Sequence, residues 1–139
     1  MQRPRASVKS LLKTIALLSV VLLASPLPAR ASEPECRAGK VIGGGMASWY
    51  GAGLQGHRDA RGKHFDMNGM TAAHRTLPLG SFVEVTNRRT HSTVVVEITD
   101  RGPYAKGRVI DVSKAAAHEL GFGKRGVAHV TLRACAKEH

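Results

Sequence analysis

The sequence predicts an all-β fold, a small closed barrel of six short strands with one or two short helices. Apolar and β-branched segments recur after residue 45, and several of them alternate apolar with polar residues. Turn-forming Gly, Pro and Asn separate these segments. Closing the strands into a barrel removes the exposed strand edges that would otherwise promote aggregation.

Each element follows from its local pattern. Phe82–Thr86 alternates apolar and polar residues as a half-buried strand does. Ser113 as N-cap and Gly121 just past the end predict a short helix between them. Residues 32–45 are polar and glycine-rich, and we expect a flexible lead-in before a barrel domain at 46–135. The predicted strands are Met46–Tyr50, Met70–His74, Phe82–Thr86, Thr93–Thr99, Val109–Val112 and Gly126–Ala134.

The first 31 residues have the pattern of a secretory signal peptide. A basic start precedes the apolar run Thr14–Ala24, and Ala29-Arg30-Ala31 follows as a small-x-small cleavage site. The apolar run is too short for a comfortable membrane span. No Cys directly follows that run, so we expect no membrane anchor after cleavage. The mature protein is therefore expected to be exported and soluble, in the periplasm or outside the cell.

The net charge of the chain limits the kinds of partner that we expect it to bind. The whole chain carries +11, and loss of residues 1–31 removes five basic groups and no acidic ones, which leaves +6. A moderate positive charge favours anionic partners. In an exported protein we expect these to be cell-wall polymers and lipid head groups. The basic residues are scattered, so we expect no nucleic acid. We also expect a monomer.

The two cysteines, Cys36 and Cys135, lie near the ends of the mature chain. An exported protein meets an oxidising compartment, which favours a disulfide between them. Closing a loop of about 100 residues stabilises the fold by about 4–5 kcal/mol in the chain-entropy model. Two cysteines are too few for a zinc site, and the histidines lack metal-ligand spacing. We therefore expect no metal and no other cofactor.

Asp100 is the strongest catalytic candidate from local pattern. It ends an apolar β-branched strand, and Arg101-Gly102-Pro103 forces a turn directly after it. Partial burial at such a junction raises the pKa of a carboxyl, which suits a general acid. The alternative is structural: Asp100 caps the turn or pairs with Arg101.

Ordered motifs identify a family. The chain contains Ala47-Ser48-Trp49-Tyr50-Gly51, Phe65-Asp66-Met67-Asn68, Met70 to Gly80, Asp100-Arg101-Gly102-Pro103-Tyr104 and Gly107 to Ser113. Over about residues 45–133 it closely resembles the rare lipoprotein A (RlpA-like) family. The resemblance implies a double-psi β-barrel, related to those of expansins and barwin proteins. It also implies a lytic transglycosylase that cuts peptidoglycan glycan strands, preferably strands stripped of stem peptides.

The resemblance implies catalytic roles for Asp100, Asp66 and His74. A single carboxyl with a raised pKa can protonate the leaving oxygen and then deprotonate the sugar's C6 hydroxyl. Asp100 is expected to do both, and Asp66 to stabilise the oxocarbenium-like centre. His74 would position a substrate hydroxyl or N-acetyl group, and Arg101 would bind a lactyl carboxylate or pair with Asp100.

Lys63 departs from the family pattern. The family usually reads Gly-Glu-x-Phe-Asp, with the Glu implicated in activity, whereas this chain has Lys63 in the Glu position. If the Glu donates the proton, its loss removes most activity, and a nearby ammonium would also lower the pKa of Asp100. Alternatively, Lys63 points outward and binds the anionic wall.

Trp49 and Tyr50 supply most of the useful aromatic surface. Neighbouring side chains of a strand point to opposite faces, so one is expected to pack in the barrel and the other to stack on a sugar. Three functions therefore stay open: a peptidoglycan lyase, a non-catalytic peptidoglycan-binding barrel, and an expansin-like or barwin-like protein that loosens walls.

Overall fold

The structure, a computed structural model, describes Cys36, residues 39–50 and residues 52–135. Its elements are β1 (Val41–Tyr50), a 3₁₀ turn (Ala52–Leu54), β2 (Thr71–Ala73), β3 (Phe82–Asn87), β4 (Thr93–Asp100), β5 (Arg108–Ser113), α1 (Lys114–Glu119) and β6 (Val127–Ala134). The strands close a barrel in the order β1-β5-β2-β4-β3-β6. The predicted six-stranded double-psi barrel is confirmed.

Two pairs of strands in the barrel are parallel, and both lie among four consecutive strands, β1, β5, β2 and β4. β1 runs parallel to β5, and β2 runs parallel to β4, while β2 and β5 are antiparallel. This arrangement places the ends of β2 and β4 next to the start of β5. The residues after β4 therefore lie close to those that precede β5.

The barrel interior is packed with β-branched side chains. Val85, Val96, Ile98, Ile110 and Val112 are fully buried. α1 contacts β1, β4 and β5. The buried side chains of α1 and of the turn after it, which include Leu120 and Phe122, belong to the same core.

β1 begins at Val41, five residues earlier than the sequence suggested. The glycine-rich segment that we expected to be a flexible lead-in is paired with β6 from Val41 onward. A Cβ on Gly44 would stand 2.7 Å from the carbonyl oxygen of Val130, and one on Gly45 would stand 2.7 Å from Cγ1 of Val109. These glycines therefore allow close packing of neighbouring strands, which sequence composition alone does not distinguish from flexibility.

Two predicted local features are confirmed. The Ser113 hydroxyl accepts a hydrogen bond from the backbone N–H of Ala116 (3.2 Å) and caps α1. Cys36 and Cys135 form a disulfide between residues 99 positions apart. No helix within the described part of the chain has the length and apolar character that crossing a membrane requires. The predicted signal peptide lies outside the described residues.

Candidate active site

Polar side chains line the outer surface of the barrel where β1, β5, β2 and β4 lie side by side. Ala72, Ile98 and Ile110 of these strands point inward and are fully buried. Because strand side chains alternate between two faces, their neighbours point outward. This polar face consists of Ser48 and Tyr50 of β1, Asp111 and Ser113 of β5, Thr71 of β2, and Glu97 and Asp100 of β4.

A bulge in β4 turns Asp100 onto the polar face. Ala72 pairs with Ile98, but the next residue, Ala73, pairs with Asp100, so β4 carries one extra residue, Thr99. Residues that pair across strands share a face, and Asp100 therefore points to the same side as Ala73. Without the bulge, strict alternation would direct the carboxylate into the apolar interior.

The environment of Asp100 combines a turn cap with an accessible carboxylate. Its Oδ1 accepts a hydrogen bond from the backbone N–H of Arg101 (3.0 Å), and its carbonyl accepts one from the N–H of His74 (3.1 Å). The chain then turns at Gly102, where φ is +124°, and the peptide bond to Pro103 is cis. Asp100 itself is half-buried, so its side chain is fixed at one end and open to a ligand.

Arg101 holds the neighbouring loop. Its Nη1 donates to the carbonyl oxygens of His74 (3.1 Å) and Leu77 (2.7 Å). The guanidinium is thus directed to the segment after β2 rather than to the Asp100 carboxylate. Arg101 therefore ties His74 to the turn that follows Asp100.

His74 is held as a neutral imidazole. Its Nδ1 accepts hydrogen bonds from the backbone N–H groups of Thr76 (3.2 Å) and Leu77 (3.1 Å), which requires that Nδ1 carry no proton. Partial burial, followed by the charges of Arg75 and Arg101, lowers the pKa of His74. The proton of the neutral ring is therefore on Nε2, so His74 is a hydrogen-bond donor at that atom.

Asp111 is another carboxylate of the polar face, and it is not among the site residues that the sequence predicted. The Ser48 hydroxyl donates to its Oδ1 (2.5 Å), and Nη2 of Arg108 donates to its Oδ2 (2.8 Å). The sequence does contain a pattern that could have identified it: Asp111 is a carboxylate between two buried apolar residues of an alternating strand. Pairing of β1 with β5 brings Ser48 opposite to it.

The loop between β1 and β2 is fastened to the barrel by an ion-pair network. Arg61 binds the carboxylates of both Asp59, at 3.0 Å, and Glu97 of β4. Asp59 also accepts the N–H groups of Arg61 (2.8 Å) and Lys63 (3.0 Å). Burial alone would raise the pKa of Asp59, but these hydrogen bonds and the Arg61 charge outweigh it and lower the pKa. Nothing in the local sequence indicated this network, because Glu97 is 36 residues from Arg61.

Lys63 and Asp66 both lie on this fastened loop and are exposed. The backbone of Lys63 is bonded to Asp59 through both its N–H and its carbonyl. The carboxylate of Asp66 accepts the N–H of Asn68 (2.9 Å), which caps the turn leading into β2. Asp66 thus has the turn contact of an ordinary loop cap, while its exposed side chain stays accessible.

Trp49 and Tyr50 point to opposite sides, as the alternation predicted. Tyr50 packs against Phe65 with ring centroids 4.8 Å apart on the polar face. Its hydroxyl is shielded from solvent and makes no well-directed hydrogen bond with a described residue. Burial raises the pKa of Tyr50, against the effect of the nearby hydroxyls of Thr71 and Thr99. Trp49 packs against the core, and its Nε1–H donates to the carbonyl of Gly123 (3.1 Å).

Comparison with known proteins identifies the family of this barrel. A family model described as a lytic transglycolase matches residues 42–132. The double-psi barrel is therefore a domain of the class that this family model describes. Within that class, the chain belongs to the rare lipoprotein A (RlpA-like) family.

Curated relatives support the same family. The probable endolytic peptidoglycan transglycosylase RlpA of Synechocystis sp. is 55% identical over 93 residues, which cover 67% of this chain and 29% of the relative. The endolytic peptidoglycan transglycosylase RlpA of Neisseria meningitidis serogroup A is 51% identical over 88 residues, which cover 63% and 37%. The match thus spans about a third of the relatives' length.

The expansin of Clavibacter michiganensis, solved as a point mutant in complex with cellohexaose, superimposes with a TM-score of 0.56. The superposition covers 69% of this chain and 51% of the expansin at 18% identity. At this identity the likeness concerns the fold alone.

Proposed function

We propose that this protein is a lytic transglycosylase that cleaves peptidoglycan glycan strands, with denuded strands as its preferred substrate. The observation that carries the proposal is the Asp100 carboxylate, which the β4 bulge turns outward at the start of the family's Asp-Arg-Gly-Pro motif. The relatives named as endolytic peptidoglycan transglycosylases are about half identical to this domain and support the same substrate.

In the proposed reaction Asp100 acts first as acid and then as base. Its protonated carboxyl gives a proton to the glycosidic oxygen after the muramic acid unit, and the C1–O bond breaks. The resulting carboxylate takes the proton of that sugar's C6 hydroxyl as O6 bonds to C1. The products are a free 4-hydroxyl and a 1,6-anhydro-muramic end, and no water is consumed. One carboxyl suffices, unlike hydrolysis, which uses two at a defined separation.

The other site residues position the sugar in this proposal. The Nε2–H of His74 donates to a substrate hydroxyl or N-acetyl oxygen, a role that suits a neutral imidazole. Asp66 places negative charge near the oxocarbenium-like centre. Arg101 has donors beyond the Nη1 used for the loop carbonyls, and these bind a lactyl carboxylate.

Lys63 supports one alternative, a barrel that binds peptidoglycan without cleaving it. The family's Glu position is occupied by an exposed ammonium on a loop held in place by Arg61. If that Glu supplies the proton, this protein keeps the polar face and lacks the acid. Lys63 then binds the anionic glycan.

We propose that the protein acts outside the cytoplasm, as a monomer. The Cys36–Cys135 disulfide supports this location, because disulfides persist in oxidising compartments. The substrate is located there as well.

The deciding experiment is mass spectrometry of denuded glycan strands incubated with the wild type and with Asp100→Asn. We expect anhydro-muramic ends from the wild type alone. Asp66→Asn tests the second carboxylate and should cleave more slowly, because its amide oxygen can still cap the turn at Asn68 while the charge is lost. Glu119→Gln is the matched control, because it removes an exposed carboxylate outside the polar face, and it should cleave like the wild type. Absence of product from the wild type, with co-sedimentation on the same glycans retained, would contradict catalysis and establish the binding barrel.

A further inference from the structure

A concave surface lies apart from the polar face. Its lining residues are Trp49, Lys114, His118, Gly121, Gly123 and Lys124, and we refer to it as the Trp49 groove. Its volume is about 410 Å³, within the range of small-ligand sites. No residue of the polar face lines it.

The direction of Trp49 explains why the two surfaces are separate. Trp49 pairs with Val112 and shares its inward side, so the ring packs against the core and only its uncovered part lines the groove. Tyr50 pairs with Ser113 on the polar face. The indole N–H is bonded to the carbonyl of Gly123, which fixes the ring at the wall of the groove. Adjacent residues of β1 thus present one aromatic ring to each surface.

The charged side chains that line the Trp49 groove are basic. Lys114 and His118 are four residues apart on α1 and therefore share a side of the helix, and Lys124 comes from the turn before β6. Both lysines are exposed, and neither forms an ion pair with a described residue. Among the described residues, no carboxylate lines the groove. An aromatic wall beside exposed ammonium groups suits a ligand with an apolar face and a negative charge.

We propose that the Trp49 groove is a second saccharide site that holds an acidic sugar, the muramic acid unit of a glycan strand. The apolar face of the sugar ring packs on Trp49, and the lactyl carboxylate pairs with Lys114 and Lys124. The inference rests on the proposed function for the identity of the polymer. It adds a holding site outside the cleavage site, through which one strand is retained between cuts.

The experiment uses the single tryptophan of the chain as a reporter of this groove. A denuded tetrasaccharide of alternating N-acetylglucosamine and N-acetylmuramic acid is titrated into Asp100→Asn protein, so that it is not consumed, and Trp49 fluorescence is followed. We expect saturable binding that weakens about fivefold in Lys114→Ser/Lys124→Ser, since two exposed ion pairs are lost. The control Lys40→Ser/Arg88→Ser removes the same charge from exposed residues outside the groove and should bind like the parent.

Neutral chitotetraose measures the role of the carboxylate. We expect it to bind more weakly than the acidic tetrasaccharide and to be unaffected by Lys114→Ser/Lys124→Ser. Equal affinity of the parent and this double variant for the acidic tetrasaccharide would overturn the proposal. Glycan binding by sedimentation with no change in Trp49 fluorescence would also overturn it.

The experiments distinguish failure of the proposed cleavage function from failure of the proposed Trp49 groove site. Anhydro-muramic products without a Trp49 response would leave the cleavage function standing and refute the groove. A lysine-dependent Trp49 response without products would refute catalysis and leave the groove as a glycan-binding site.

Discussion

Asp100 and Asp111 stand on either side of Ala73, on the same outer face of the barrel. Ala73 pairs with Asp100 in β4 and with Asp111 in β5. Two strand spacings separate their Cα atoms by about 10 Å, and Ala73 of the intervening strand β2 contributes only a methyl group to the face between them. Asp111 is occupied on both oxygens by Ser48 and Arg108, while Asp100 accepts one backbone N–H. The contacts of Asp111 therefore favour a structural role, whereas Asp100 has the freer carboxylate that the proposed reaction requires.

The first prediction follows from this division. Asp111→Asn removes the charge partner of Arg108, whose Nε is already buried without a partner among the described residues. We expect the free energy of unfolding to fall by about 1–3 kcal/mol, the usual loss for a buried polar group left unpaired. Denaturant titration measures it, and cleavage should be reduced less than in Asp100→Asn. A folded Asp111→Asn protein that is as inactive as Asp100→Asn would show that Asp111 takes part in the chemistry.

The second prediction concerns Lys63. Lys63→Glu restores the family carboxylate on a loop whose backbone is already held by Asp59. We expect the rate of anhydro-muramic product formation to rise at least about tenfold, since a positioned acid–base group typically contributes 10²–10⁴. Lys63→Gln is the control, because it removes the ammonium without adding an acid. Equal rates for Lys63→Glu and the wild type would mean that this position has no part in proton transfer here.

The third prediction separates two functions of His74. His74→Asn places an amide oxygen close to the position of Nδ1, so the bonds to Thr76 and Leu77 can persist while the Nε2–H donor is lost. We expect near wild-type stability and a clear loss of cleavage rate. His74→Gln should show the opposite pattern, with a weakened loop and a donor near Nε2. Loss of stability in both variants with unchanged rates would contradict the donor role.

The pH dependence of stability gives the same residue an independent test. The pKa of folded His74 is lowered, mainly by burial, so the unfolded chain binds its proton more readily. Stability is therefore lost as pH falls through the ordinary histidine value of about 6.5 toward the folded value. We expect the melting temperature of the wild type to drop more than that of His74→Asn between pH 7 and pH 5. Parallel melting curves for the two proteins would exclude this contribution.

The fourth prediction concerns the Arg61 network. Arg61→Gln leaves the buried Asp59 carboxylate without its charge partner and releases the loop from Glu97. We expect a loss of about 2 kcal/mol in unfolding free energy, with partial recovery in Arg61→Lys. Proteolysis between residues 55 and 69 should also become faster. Because Asp59 has a lowered pKa, the wild type should lose this stabilisation only as pH falls below about 4. A protease-resistant Arg61→Gln loop would show that other contacts fasten it.

The sequence by itself determined the local features of this protein. Alternation placed Val83 and Val85 in the core, Ser113 marked the start of α1, and two terminal cysteines indicated the disulfide. Ordered motifs identified the family. The strand and the helix start depend on residues a few positions apart. The disulfide and the family depend on residue types and on the order of motifs along the chain.

Tertiary structure alone decided which residues meet. The bulge at Thr99 that turns Asp100 outward arises from the pairing of β4 with β2, and no local sequence pattern predicts it. The Asp111–Ser48 contact joins residues 63 positions apart, and the Arg61–Glu97 pair joins residues 36 apart. From the sequence, Gly44 and Gly45 were predicted to be flexible. The atoms that require a glycine at each position belong to other strands, so the local sequence does not reveal them. The physical reason is common to all: strand register and barrel closure bring distant residues into contact, and they depend on the whole chain at once.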